Sequence, residues 1–245
     1  MSRSELFAVM TGGMATVAGT VMFLYATVLN SVLDNALGNI LIASLVSAPA
    51  ALVVARVLIP QEGEGTDASL VAPNEVGSAM DAVSEGTRDG LSLLLNIVAM
   101  LVVLLALVNL VNQGLALVPE IWGEALSLER ILGWGMAPVV WLLGIPWSEA
   151  GTAGMLMGTK TVLNELVAYI HLAQLPEGTL SPRSVLIMTY AMCGFANLGS
   201  LGIMLGGLCT MAPGRRSEIV GLGARSLVAG TMATCMTGAV IGLVA

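Results

Sequence analysis

Three features of the 245-residue sequence predict an all-α, polytopic membrane fold with broken transmembrane helices and a re-entrant helical hairpin. The first is composition. Hydrophobic residues make up 56% of the chain and charged residues 10%, and the mean hydropathy is +0.90. A soluble domain carries about 25% charged residues. A chain this poor in charge cannot cover an apolar core with polar surface, so lipid is its solvent. The second feature is a set of stretches without Asp, Glu, Lys or Arg: 6–33, 35–55, 90–119, 131–148, 184–214 and 226–245, each of 18 residues or more. A spanning helix needs about 20 predominantly apolar residues. The third is that two of these stretches are interrupted in mid-run by glycine and a small polar residue.

Helices are required because backbone groups in lipid must hydrogen-bond internally. A β-barrel would need alternation of polar and apolar residues, and Leu93-Leu94-Leu95 and Val102-Val103-Leu104-Leu105 do not alternate. In order, residues 1–59 are expected to form a broken transmembrane helix and a following span. Residues 60–89 are a polar segment opened by Pro60, with Gly63, Gly65 and Asp67 giving it turn character. Within it, residues 74–89 read either as an interfacial amphipathic helix or as a solvated loop. Residues 90–119 are the candidate scaffold helix. Residues 120–180 hold an interfacial helix and the re-entrant hairpin: Pro138 and Pro146 interrupt one short apolar piece, Gly151, Gly154 and Gly158 loosen the next, and a Gly/Pro-rich turn joins them. Such backbone persists at membrane depth only where it is buried in protein or lines a cavity. Residues 181–245 form a second broken helix and a C-terminal span. Arg3, Arg56, Arg88, Arg215 and Arg216 fall on one side of this arrangement, and Arg130, Lys160 and Arg183 elsewhere.

The two interruptions echo each other. Gly13-Met14-Ala15-Thr16-Val17-Ala18-Gly19 and Gly194-Phe195-Ala196-Asn197-Leu198-Gly199-Ser200 share the order glycine, large apolar, Ala, small polar, aliphatic, small, small. The 31 residues of 184–214 would run roughly 46 Å as a straight helix, longer than the hydrocarbon core of about 30 Å, so a break can be accommodated. Corresponding interrupted segments in two parts of a chain point to half of an inverted-repeat transporter, in which freed helix ends hold a ligand. Gly154/Gly158, Gly202/Gly206 and Gly238/Gly242 have the spacing of close helix packing instead.

Glu165 is the other pointer. A carboxylate inside a membrane segment is a functional candidate. The competing reading is an ion pair with Lys160 that only locks the hairpin. Other chemistries find little support. The net charge of −7 argues against nucleic acid. Cys193, Cys209 and Cys235 have neither disulfide nor zinc spacing. No GxSxG, HExxH or P-loop motif is present, so no enzyme and no cofactor is expected.

The run Gly158-Thr159-Lys160-Thr161-Val162-Leu163-Asn164-Glu165-Leu166-Val167-Ala168-Tyr169 resembles the hairpin motif of the concentrative nucleoside transporter family. Ala191 through Ile203, with Cys193-Gly194-Phe195-Ala196-Asn197, resembles its Cys-Gly-Phe-Ala-Asn signature. Residues 4–19, Ser47-Ala48-Pro49-Ala50 and the turn from Met211 to Arg216 resemble further parts of the same family. Leu166 and Leu198 stand where family members often carry Phe. A first hairpin with a Gln-Thr-Glu motif is expected in such a protein and is missing here, so the chain reads as a fragment, a truncated product or one piece of a split transporter. The resemblance implies a homotrimer in the plasma (inner) membrane that moves nucleosides with Na⁺ or H⁺ by alternating access. It implies a substrate pocket lined by Glu165, Phe195, Asn197, Ser200 and Val21, and a cation site with Thr16 and Val17. Phe195 has helix packing as its other reading. A non-transporting remnant or assembly subunit is the alternative to transport.

Overall fold

The computed structural model describes residues 1–63, 65–66, 78–120 and 125–245. These residues form ten α-helices: α1 (Arg3–Ala15), α2 (Gly19–Leu29), α3 (Ala36–Leu58), α4 (Ala79–Leu115), α5 (Leu128–Leu142), α6 (Trp147–Val162), α7 (Glu165–Gln174), α8 (Pro182–Met192), α9 (Leu198–Met211) and α10 (Arg216–Val244). A one-turn 3₁₀ helix, Pro213–Arg215, precedes α10. Among the described residues there are no strands.

Local chemistry sets most helix starts. Ser2 and Glu5 close a capping box at α1, with Ser2 Oγ accepting from Glu5 N–H and Ser2 N–H donating to the Glu5 carboxylate. Ser78, Ser127, Asn164, Ser181 and Asn197 each accept a backbone N–H in the first turn of the helix that follows them. Pro182 occupies the first position of α8, where no N–H is needed. The sharp reversal between α5 and α6 requires Gly144, whose φ of +101° is open to glycine and strained for other residues.

Among the described residues, three helical segments are long and apolar enough to cross a membrane: Arg3–Leu29, which contains the first break, Ala36–Leu58, and Pro213–Val244. Val102–Leu115 and Leu198–Met211 are shorter apolar helical stretches. The helix α4 runs on without interruption from the charged residues 79–89 into the apolar run beyond Gly90. Residues 67–77, part of the polar segment, lie outside the described residues. At 15 residues α5 is about 22 Å long, too short for a core of about 30 Å.

The helix α10 is the spine. It packs against α1, α3, α8 and α9. One apolar cluster joins α1, α3 and α10 through Phe7, Met10, Ala51, Ile219 and Leu222. Within the bundle, the buried Ser47 and Thr237 hydroxyls meet at 3.0 Å and satisfy each other between α3 and α10. Arg215 donates to the Met1 carbonyl at one end of α10, and Arg183 donates to the Gly242 carbonyl at the other. Outside, α3 presents Leu45, Leu52 and Val57, each more than half exposed. An outward apolar face is what lipid or further membrane helices require.

Two of the three glycine pairs, Gly154/Gly158 and Gly238/Gly242, do the packing their spacing indicated. A Cβ on Gly154 would lie 2.5 Å from the Gly133 carbonyl, and one on Gly158 would lie 2.3 Å from that of Glu129. Both contacts are with backbone of α5, so α5 and α6 touch main chain to main chain. Gly238 stands in the same relation to Ala191 and Ile187 of α8.

Candidate functional site

Two interrupted helices cross at the centre of the molecule. The first, α1–α2, breaks at residues 16–18, where Thr16 and Ala18 have extended backbone. The second, α8–α9, breaks at residues 193–197. The Phe195 N–H donates to the Thr16 carbonyl at 3.3 Å, a direct backbone link between the breaks. Gly194 makes this approach possible, since a Cβ there would lie 2.7 Å from the Ala15 carbonyl oxygen. Gly230 of α10 closes the third side, its missing Cβ leaving room for Met14.

The hairpin delivers the carboxylate to this crossing. The turn that carries Glu165 is Leu163-Asn164, between α6 and α7, and differs from the Gly/Pro-rich turn anticipated from the sequence. That earlier turn, 143–146, joins α5 to α6. The tip is made by Leu163 leaving helical geometry and by Asn164, whose side-chain oxygen accepts the Val167 N–H at 3.0 Å. Glu165 is thereby the first residue of α7, where the helix N-terminus favours a negative charge.

Glu165 is 3% exposed. Its Oε1 accepts from the Tyr25 hydroxyl at 2.5 Å, and its Oε2 accepts from the Asn197 side-chain amide at 2.9 Å. Asn197 is held in turn, because its own Oδ1 caps α9 by accepting the Ser200 N–H at 2.7 Å. One end of the amide is committed to the helix, so the other can only donate. Tyr25 is set by α2 and by its tilted packing on Tyr169, at 5.2 Å between ring centroids. The Tyr169 hydroxyl donates to the Thr189 carbonyl at 2.9 Å. One buried carboxylate thus joins the hairpin to both broken helices.

The other expected residues fall around this group. Phe195 and Val21 are half-buried and pack on the apolar cluster that contains Tyr25, Tyr169 and Cys193. Ser200 is half-buried on the first turn of α9. At the first break, the Thr16 hydroxyl donates to the Gly12 carbonyl at 2.9 Å, and the Val17 N–H donates to the Ser44 hydroxyl at 3.3 Å. Thr16 therefore offers two oxygens, its hydroxyl and its carbonyl, each with lone-pair capacity left.

Lys160 and Glu165 form no contact ion pair. The Lys160 ammonium is fully buried and its Nζ has no hydrogen-bond partner, while both Glu165 oxygens are engaged elsewhere. The five-residue spacing misleads because the tip at Leu163-Asn164 lies between the two residues, so they do not share a helix face.

Tyr25 is the residue that the sequence reading missed. Its signal was slight: a phenol in an apolar run, one helical turn beyond Val21. A buried tyrosine hydroxyl needs a polar partner, but this partner lies 140 residues away in sequence.

Comparison with known proteins identifies the family. Residues 39–242 match the family described as Na⁺ dependent nucleoside transporter C-terminus. The chain is 38% identical to the nucleoside permease NupC of Helicobacter pylori, over 99% of its own length and 58% of that protein's. Among solved structures, a variant of CNTnw in an outward-facing state superposes with a TM-score of 0.86 at 38% identity, covering 100% of this chain and 58% of that one. CNTnw in an inward-facing substrate-bound state gives 0.75 at 39% identity, over 99% and 58%. The chain spans about three fifths of the length of these relatives. It is an all-helical integral membrane protein of the plasma membrane, and it belongs to the concentrative nucleoside transporter family, of which it carries the C-terminal domain.

Proposed function

We propose that this chain carries the nucleoside-binding core of a cation-coupled symporter that works by alternating access. The observation that supports this reading best is the Glu165 carboxylate, buried at the meeting point of a hairpin and two broken helices and satisfied there by hydroxyl and amide donors. A nucleoside presents ribose hydroxyls, a ring face, and base-edge donors and acceptors. Glu165 accepts from the ribose hydroxyls through charge-assisted bonds, the stronger kind. Asn197 and Ser200 supply polar contacts at the N-terminus of α9, and Phe195 and Val21 bound the base with apolar surface. Thr16 and Val17 contribute oxygens to the coupling cation, Na⁺ or H⁺, at the end of α1, where the helix dipole favours positive charge. The hairpin α6–α7 and the two breaks move together against the scaffold helix α4, with lipid around the assembly and three copies forming it.

The test is equilibrium binding of radiolabelled uridine and adenosine to the purified chain, alone and mixed with the N-terminal portion that the longer relatives carry. Saturable binding is expected, and Glu165→Gln is expected to weaken it by roughly 10–100-fold, because an amide keeps the shape but loses the charge-assisted bonds. Equal binding in Glu165→Gln would remove the carboxylate from the site. No binding in either preparation, with helix content intact, would favour a non-transporting remnant.

A further inference from the structure

We propose that Tyr25 is an affinity-determining residue whose phenol competes with a ligand hydroxyl for Glu165. The inference rests on the reading of Glu165 as the ligand carboxylate. Three observations carry it. The Tyr25 hydroxyl lies 2.5 Å from Glu165 Oε1, the separation of a strong O–H···O⁻ bond. Glu165 is 3% exposed and Tyr25 is equally buried, so no ligand atom reaches the carboxylate while the phenol stays in place. The helix that carries Tyr25 starts at the break: α2 follows Ala18 directly, and no side chain caps its first turn. It is joined to α1 through the extended residues 16–18 and packs on α3 and α7.

A buried carboxylate must keep its donors, since an unsatisfied charge in an apolar surrounding is highly unfavourable. Asn197 cannot supply both, because it is fixed by capping α9 and reaches only Oε2. Tyr25 provides the second donor when no ligand is present. When a sugar hydroxyl arrives, one O–H···O⁻ bond is exchanged for another and the phenol side chain gives way. Glu165 stays satisfied throughout, and the ligand gains only the difference between the two bonds. The ring packing of Tyr25 on Tyr169, itself anchored to Thr189, returns the phenol to its place after release.

The experiment uses the chain in detergent, alone and mixed with the N-terminal portion that the longer relatives carry, and two readouts. One is the rate at which a hydrophobic carbodiimide modifies Glu165, followed by peptide mass spectrometry. The other is uridine affinity. Tyr25→Phe keeps the ring that packs on Tyr169, so the fold is retained, and it removes only the donor. Glu165 is expected to be modified roughly tenfold faster in this variant, and uridine to bind roughly tenfold more tightly, the size of one lost competing bond. Tyr169→Phe is the control, because its hydroxyl is bonded to Thr189 and not to Glu165. It should leave both readouts close to the wild type. Unchanged modification and affinity in Tyr25→Phe would overturn the proposal, as would equal acceleration in Tyr169→Phe. Faster modification in Tyr25→Phe with no uridine binding by any form would support the shielding of Glu165 by Tyr25 and overturn the nucleoside reading instead.

Discussion

The two breaks look alike in sequence and differ in what they hold. The first is three residues long, and α2 leaves it without a side-chain cap. Its polar residue, Thr16, ends α1 and turns its hydroxyl back onto that helix. The second break is five residues long, and its polar residue, Asn197, starts α9 and reaches out to Glu165. Residues aligned by the echo thus sit at opposite ends of their breaks. One break gathers hydroxyl and carbonyl oxygens, which suit a cation. The other gathers an amide and a helix N-terminus around a carboxylate, which suits a polar organic ligand. Similar motifs span both breaks, and the polar residue of each meets different partners.

Breaking this contrast at Asn197 has the largest expected effect. Asn197→Ala removes the α9 cap and one of the two donors to Glu165. A lost cap costs about 1 kcal/mol and an under-satisfied buried charge about 2 more, so a destabilisation on the order of 3 kcal/mol is expected in thermal unfolding in detergent. Asn197→Asp separates the two roles. It keeps the capping oxygen but sets a second acceptor against Glu165, so a helix-cap role alone would leave it as stable as the wild type.

Gly194→Ala comes next. The new methyl would lie 2.7 Å from both the Ala15 carbonyl oxygen and Thr234 Cγ2. The first of these is backbone at the crossing and cannot rotate away. Overpacking of this kind costs about 1–3 kcal/mol. A melting temperature equal to the wild type would show that the crossing has slack, and that the Phe195–Thr16 link does not fix the distance between the breaks.

Much of the fold was legible because hydropathy and glycine placement act locally. Charge-free runs located the spans near α1–α2, α3 and α10, and the echo located both breaks to within a few residues. The position of the hairpin tip was not legible in the same way. Gly and Pro mark a turn in the sequence, and they do form one between α5 and α6, but the tip that carries Glu165 is an ordinary Leu-Asn pair whose only local signal is the capping asparagine. The division expected near residue 90 falls inside α4, because the glycine at the boundary, Gly90, weakens a helix by only about 1 kcal/mol and no proline stands beside it to end the helix. The carboxylate itself was found, since an acid in a membrane segment is conspicuous. Its partners were harder to assign. Lys160 lay close in sequence and was the natural choice, whereas Tyr25 lies 140 residues away and Asn197 lies 32. Pairings of that range are set by how helices cross, and no periodicity reports it.

The cation reading of the first break makes a smaller prediction. Thr16→Val removes the hydroxyl and keeps the shape, and its bond to Gly12 is a local back-bond that adds little to stability. Stability should change by less than about 1 kcal/mol. The Na⁺ concentration that half-saturates uridine binding should rise roughly tenfold, the effect of losing a ligand worth about 1.4 kcal/mol. Unchanged Na⁺ dependence would take the hydroxyl out of the cation site.

The smallest effect is expected at Gly13, the residue that the echo aligns with Gly194. A Cβ there would meet nothing within 4 Å, and the residue lies inside α1. Gly13→Ala should therefore raise stability by about 0.5–1 kcal/mol, since alanine loses less backbone entropy than glycine in a helix. The pair of substitutions asks whether the two aligned glycines have different reasons to be there. If Gly13→Ala destabilises as much as Gly194→Ala, the open space beside α1 is filled in the working protein, and both glycines are close-approach positions. If it stabilises and leaves uridine binding intact, close approach is required at the second break alone, and the likeness of the two motifs lies in how each helix is interrupted and not in how each is packed.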